Sequence, residues 1–222
     1  MKNTFLLLII IISILIFSCN STKSNARKEL RNQKRLENLI TIANSKCDSI
    51  TLKFINKYNG LNETVNEIGI LPFVISSSDV VDEKDIEKFV SFDIKENIKK
   101  ALLKSDLDII DSIPRFSTNE QIKIYNKKIR YTSGALAHNN EKYKSYYPKE
   151  FIKTKSAKYF LTYQVSLFFY RNSSSRLFIG LHLYNTENEK LDFYNSIIID
   201  NCMDNEETFN YAIQALLESI NS

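Results

Sequence analysis

The sequence predicts an α/β fold: a mixed sheet ending in a C-terminal three-strand antiparallel meander covered by helices. Residues 158–170, 176–184 and 190–200 alternate along the chain at period two. Short polar connections, Asn172-Ser173-Ser174-Ser175 and Asn185-Thr186-Glu187-Asn188, join them, and such short links make antiparallel neighbours. Two stretches around the meander carry apolar stripes at three- and four-residue spacing, as helices that cover a sheet do.

The chain begins with Met1-Lys2-Asn3 and an apolar run from Phe5 to Phe17. That run is shorter than the roughly 20 residues a bilayer-spanning helix needs, and it has the length of a signal-peptide core. It ends in Ile16-Phe17-Ser18-Cys19, which resembles a bacterial lipobox. The resemblance implies a signal peptide over residues 1–18, acylation (palmitate) of Cys19, and a mature chain starting at that cysteine and held to the membrane by its lipid. Asn20 after the cysteine points to the outer membrane, facing the periplasm. Residues 19–60 are read as the lipidated tether and N-terminal helix, and residues 61–222 as the α/β domain.

From Ala26 to Tyr58, the residues Leu36, Leu39, Ile40, Ala43, Cys47, Ile50 and Phe54 recur at helical spacing, and Asn59-Gly60 ends the pattern. Arg27, Lys28, Arg31, Lys34 and Arg35 crowd its first turns. They are read as a solvated face, with contact to anionic head groups as the alternative. Val65 to Ser76 predicts a strand, apolar almost throughout, with Pro72 marking a strand end or edge. Asp82 to Ser105 predicts an amphipathic helix, with Asp79, Asp82, Glu83 and Asp85 complementing its N-terminus. Leu107 to Ile113 is a short strand stopped by Pro114. Ser117-Thr118-Asn119-Glu120 is a capping-box pattern that opens a short helix with Ile122 and Tyr125. Residues 127–155 read as a long Tyr- and Lys-rich loop with one helix around Pro148 to Thr154. Asp204 and Glu207 fit the N-cap and N3 of a closing helix with the stripe Phe209, Ala212, Ile213, Leu216 and Ile220.

The two faces of the meander differ. One is apolar, with Leu161, Tyr163, Val165, Leu167, Leu177, Ile179, Leu181, Leu183, Leu191, Phe193, Ile197 and Ile199. The other alternates aromatic with polar groups, including Phe160, Thr162, Gln164, Ser166, Phe168, Phe178, His182, Tyr184 and Tyr194. That mixture is common at protein interfaces. Phe168, Tyr184, Tyr194, Phe178 and His182 are therefore the candidate partner-binding residues. The competing expectation is that the N-terminal helix or the Tyr-rich loop folds over this face.

The 222 residues hold 30 Lys+Arg, 26 Asp+Glu and only 4 Gly and 3 Pro, a globular composition with a net charge of +4. A charge that small, in an envelope compartment, argues against nucleic-acid binding. No GxSxG, HExxH, GxGxxG or Walker sequence occurs, and the two histidines, His138 and His182, stand far apart. The reading is therefore non-enzymatic, with no cofactor and no metal. Cys47 and Cys202 would face an oxidising compartment, where a disulfide between them is open; two separate buried thiols are preferred.

Ile68-Gly69-Ile70-Leu71-Pro72-Phe73, the helix from Phe92 to Ser105, Ala157-Lys158-Tyr159-Phe160-Leu161-Thr162-Tyr163 and the turn Leu183 to Lys190 follow one another in an order that resembles the TolB amino-terminal domain. Its relatives include the curli-secretion lipoproteins of the CsgG type and the LpoB-type synthase activators. The resemblance spans about residues 65–220. It implies an accessory lipoprotein that binds an envelope protein, or itself, in assembly, secretion or cell-wall synthesis. The alternative is a small-ligand or enzymatic site within Tyr131 to Tyr147.

Overall fold

The structure is a computed structural model and describes residues 26–35, 37–38, 51–77, 89–112, 119–137, 147–152, 156–169, 175–200 and 202–222. The chain divides into two units, residues 1–41 and 42–222. In the first, residues 26–35 and 37–38 are helical and exposed throughout. Residues 1–18, read as a signal peptide, together with Cys19, the acidic residues 79–85, Cys47 and His138, lie outside the described residues.

The second unit is α/β with an open mixed sheet. Its strands are β1 (Thr51–Asn59), β2 (Glu67–Ile70), β3 (Val74–Ser77), β4 (Asp108–Ser112), β5 (Tyr159–Phe169), β6 (Ser175–Asn185) and β7 (Lys190–Asp200). Their order is β1-β7-β6-β5-β2-β4, with β3 also on β5. The meander and β1 are antiparallel, whereas β2 and β3 run parallel to β5 and β4 parallel to β2.

β2 and β3 are two halves of the strand expected over Val65 to Ser76. Pro72 cannot donate to a ladder, and the register along β5 slips by one residue there: Ile70 faces Leu161, but Val74 faces Gln164. The Thr162 hydroxyl donates to the Pro72 carbonyl at 2.8 Å and satisfies the group that the break sets free.

The apolar face of the meander lies under α3 (Glu206–Glu218), and α1 (Ile94–Lys104) packs against α3. Ile98 and Leu102 of α1 and Phe209, Ile213 and Leu216 of α3 are buried, each large side chain contributing about 1.5–3 kcal/mol. α1 starts later than Asp82. Asp93 is its N-cap, accepting from the Glu96 amide at 3.0 Å, and residues 89–93 are not helical. The N-cap of α3 is Asn205, accepting from Thr208 N at 2.8 Å, not Asp204. Asp204 instead accepts from the Ser91 amide and hydroxyl at 2.5 and 2.8 Å, tying the approach of α1 to that of α3.

Four further readings are corrected. Residues 51–59 form a strand against β7, with Thr51 opposite Asp200, so the sheet begins before the expected boundary at residue 61. The helical spacing of Ile50 and Phe54 hid a β-rich run, Thr51-Leu52-Lys53-Phe54-Ile55, whose half-exposed edge position blurs alternation. The stretch from Lys127 onward is not all loop, because α2 (Asn119–Ala137) runs on through it. Pro148 to Phe151 forms one turn in place of a helix, with the Phe151 and Ile152 amides donating to the Pro148 carbonyl. Leu191 belongs to the aromatic side, because a bulge in β7 sets Leu183 against Phe193 but Tyr184 against Leu191.

Cys202 is buried and disulfide-bonded, against the preference for separate thiols. Its partner lies outside the described residues.

Candidate functional site

The register aligns Thr162, His182, Tyr194 and Tyr58 in one row across β5, β6, β7 and β1. This row is the centre of the face proposed for partner binding. The His182 ring meets Tyr194 edge-on at 4.9 Å and stacks with Tyr184 at 6.1 Å. The Tyr184 hydroxyl lies 3.3 Å from His182 Nδ1. Beside it, the Gln164 amide donates to Ser166 Oγ at 2.9 Å, and Ser166 shares a 2.8 Å hydrogen bond with Ser76.

This face is covered. Tyr125 and Ile129 of α2 and Phe151, Ile152 and Ala157 of the following segment form one buried cluster with Phe160, Tyr184, Leu191 and Tyr194. Tyr147 packs edge-on against Tyr184 at 6.3 Å. Tyr184, Tyr194 and His182 are each 0% exposed, so they are interior residues, not a free surface. Phe168 and Phe178 are half-buried, and Phe178 packs against the same cluster. The correction has a physical cause: polar side chains that bond to one another and to the Pro72 carbonyl can be buried at little cost, so a mixed face need not face water. Burial also holds the His182 imidazole down to about 3, so it stays neutral.

At one end of the sheet, Lys158 Nζ bridges Glu63 at 2.7 Å and Glu187 at 3.1 Å. The Tyr159 hydroxyl donates to Glu63 at 3.0 Å. The hydrogen bonds from Lys158 and Tyr159 hold the Glu63 carboxyl below its usual range, and the Glu63 and Glu187 carboxylates raise Lys158. The adjoining turn is wired by Asn185, whose amide donates to Asp192 at 2.6 Å. Glu189 there takes φ 55°, a left-handed conformation that disfavours a side chain, and pairs with Lys149 at 2.8 Å. These groups rigidify a turn and converge on no shared point. Of the alternative site, Tyr131 is exposed on α2 and Tyr147 lies half-buried against Tyr184, while residues 138–146 lie outside the described residues. Among the described residues, no three His, Cys, Asp or Glu side chains are grouped to hold a metal ion.

Large apolar side chains stand in water singly on the helices, as Leu103 and Tyr211 do, and in adjacent pairs at the two sheet edges. On β1, Phe54 is 56% and Ile55 40% exposed. On β4, Ile109 and Ile110 are partly exposed between Asp108 and Asp111. Among the described residues, β1 pairs only with β7 and β4 only with β2. Sequence reasoning missed the β1 edge by counting its residues as helix. No helix among the described residues is long and apolar enough to cross a membrane.

No family model and no curated protein matches the chain. Similar solved structures include the PelC dodecamer from Paraburkholderia phytofirmans in a single-substitution form, with a TM-score of 0.41 and 8% identity over 78% of this chain and 98% of that one. A second PelC dodecamer structure has a TM-score of 0.38 and 8% identity, covering 78% and 99%. The hypothetical protein CT253 from Chlamydia trachomatis has a TM-score of 0.33 and 10% identity, covering 70% and 93%. All three scores are too low to carry a conclusion about role.

Proposed function

We propose that this chain is a lipid-anchored, non-enzymatic lipoprotein of the bacterial envelope, held by Cys19 at the outer membrane facing the periplasm. It acts as an accessory that binds another envelope protein by strand addition at β1. The lipobox sequence Ile16-Phe17-Ser18-Cys19 supports the anchor. The observation that carries the binding mode is the β1 edge, nine residues long, with Phe54 and Ile55 in water and no outer partner strand among the described residues. An open edge offers a row of backbone donors and acceptors, and its side chains select the partner. β4 is the poorer edge, since it is five residues long and carries Asp108 and Asp111. Lys53 and Lys57 flank Phe54 and Ile55 and set a preference for an acidic or neutral strand.

The test is photo-crosslinking in cells from positions 54 and 55, with position 211, exposed on the outer side of α3, as the control. An envelope protein captured from the β1 positions alone, and lost in a Phe54→Ala/Ile55→Ala variant that folds normally, is the expected result. Equal capture from position 211, or none from β1, rejects the binding mode. Palmitate labelling that persists in Cys19→Ala rejects the anchor.

A further inference from the structure

We propose that the basic helical stretch of residues 26–35 and 37–38 lies along an anionic phospholipid surface. At about 100° of rotation per residue, Arg27, Lys28, Arg31, Lys34 and Arg35 fall within an arc of about 120°. Glu29 and Glu37 fall about 160° and 120° from the centre of that arc. Five cations thus share one face and both acids avoid it. All five are exposed.

This segregation works against the helix taken alone. Arg27 and Arg31, Arg31 and Arg35, Lys28 and Arg31, and Arg31 and Lys34 are like charges at three- and four-residue spacing. Each such pair costs a few tenths of a kcal/mol in water. An extended anionic surface attracts all five cations at once and so offsets that repulsion. Basic residues held within a Debye length of an anionic leaflet, about 8 Å at physiological salt, are each attracted to it. Leu30, 55% exposed, lies about 100° from the centre of the arc, where it reaches the head-group boundary when the basic face is down.

The position suits the partner. Only six residues, Asn20 to Asn25, separate Cys19 from the helix, a reach of at most about 20 Å. The inference rests on the lipid-anchored reading for what brings the helix to a bilayer. The affinity of the helix itself needs no acyl chain, which lets the two be tested apart.

The experiment is vesicle co-sedimentation of the non-acylated chain from Asn20 onward, which keeps every described residue. Vesicles of phosphatidylcholine with 30 mol% phosphatidylglycerol are compared with phosphatidylcholine alone. Retention on the anionic vesicles only, abolished by 0.5 M NaCl and reduced at least tenfold in Arg27→Gln/Arg31→Gln/Lys34→Gln, is the expected result. Glu29→Gln/Glu37→Gln is expected to bind at least as tightly as the parent. Equal retention on both vesicles, retention unchanged by the triple substitution, or no retention at low salt overturns the proposal. A chain that binds vesicles but takes no palmitate in cells leaves the helix proposal standing and removes the anchor; labelling without vesicle binding does the opposite.

Discussion

Asn221 clasps the backbone of Val65 from both sides. Its side-chain oxygen accepts from the Val65 amide at 2.9 Å, and its amide donates to the Val65 carbonyl at 2.9 Å. The second-last residue of the chain thereby closes the segment that leads into β2. Neighbouring Ser222 accepts from Lys57 of β1 at 3.2 Å, so residues 221 and 222 tie to β1 and to the segment before β2.

Asn221→Ala is expected to cost about 1–3 kcal/mol, since a hydrogen bond contributes about 0.5–1.5 kcal/mol and two are lost. Asn221→Asp keeps the acceptor but sets a carboxylate oxygen against the Val65 carbonyl, so it should cost at least as much. Urea unfolding with an unchanged slope and a lowered midpoint checks both. An unchanged midpoint in the alanine variant would mean that the clasp adds nothing.

Stability is expected to depend on pH through His182. Burial depresses the imidazole from 6.5 to about 3 in the folded chain. The unfolded chain therefore takes up a proton below about pH 6.5 while the folded chain does not. The contribution is complete above that pH and falls by about 1.4 kcal/mol per unit as pH drops toward 3. Between pH 6.5 and 5, ahead of most carboxylate titration, the loss should be near 2 kcal/mol, and His182→Gln should flatten that part of the curve. Parallel curves for parent and variant would contradict it.

Gly69 is required by space and not by backbone angle, since no glycine has positive φ among the described residues. A Cβ there would sit within 3.0 Å of three atoms of the fully buried Phe160 ring. Gly69→Ala should cost about 1–3 kcal/mol by overpacking. The penalty should shrink when Phe160→Leu is added, so that the two changes are not additive. Equal penalties in both backgrounds would show that the ring is not the obstacle.

The meander was legible because turns rich in Asn and Ser punctuate runs whose odd and even positions differ in kind. The stripes of α1 and α3 were legible for the same kind of reason. β1 was not, because Ile50 and Phe54 prolong the helical spacing that begins at Leu36, and an edge strand half in water shows no clean alternation. α2 was hidden because Lys127, Lys128 and Arg130 dilute a stripe of which Tyr125 and Ile129 are the buried part. The burial of Tyr184, Tyr194 and His182 depended on that same helix. Composition along a strand could show that the face is mixed, but only the position of α2 shows that it is covered.

β1 comes first among these strands and pairs with β7, which comes last, Thr51 standing opposite Asp200. The clasp between Val65 and Asn221 spans nearly the same stretch. Local pairing can assemble β5, β6 and β7 early, but β1 has nowhere to dock until β7 is in place. Loop closure over such separations slows folding. A growing or partly threaded chain that has yet to supply β7 cannot seat β1 in this sheet.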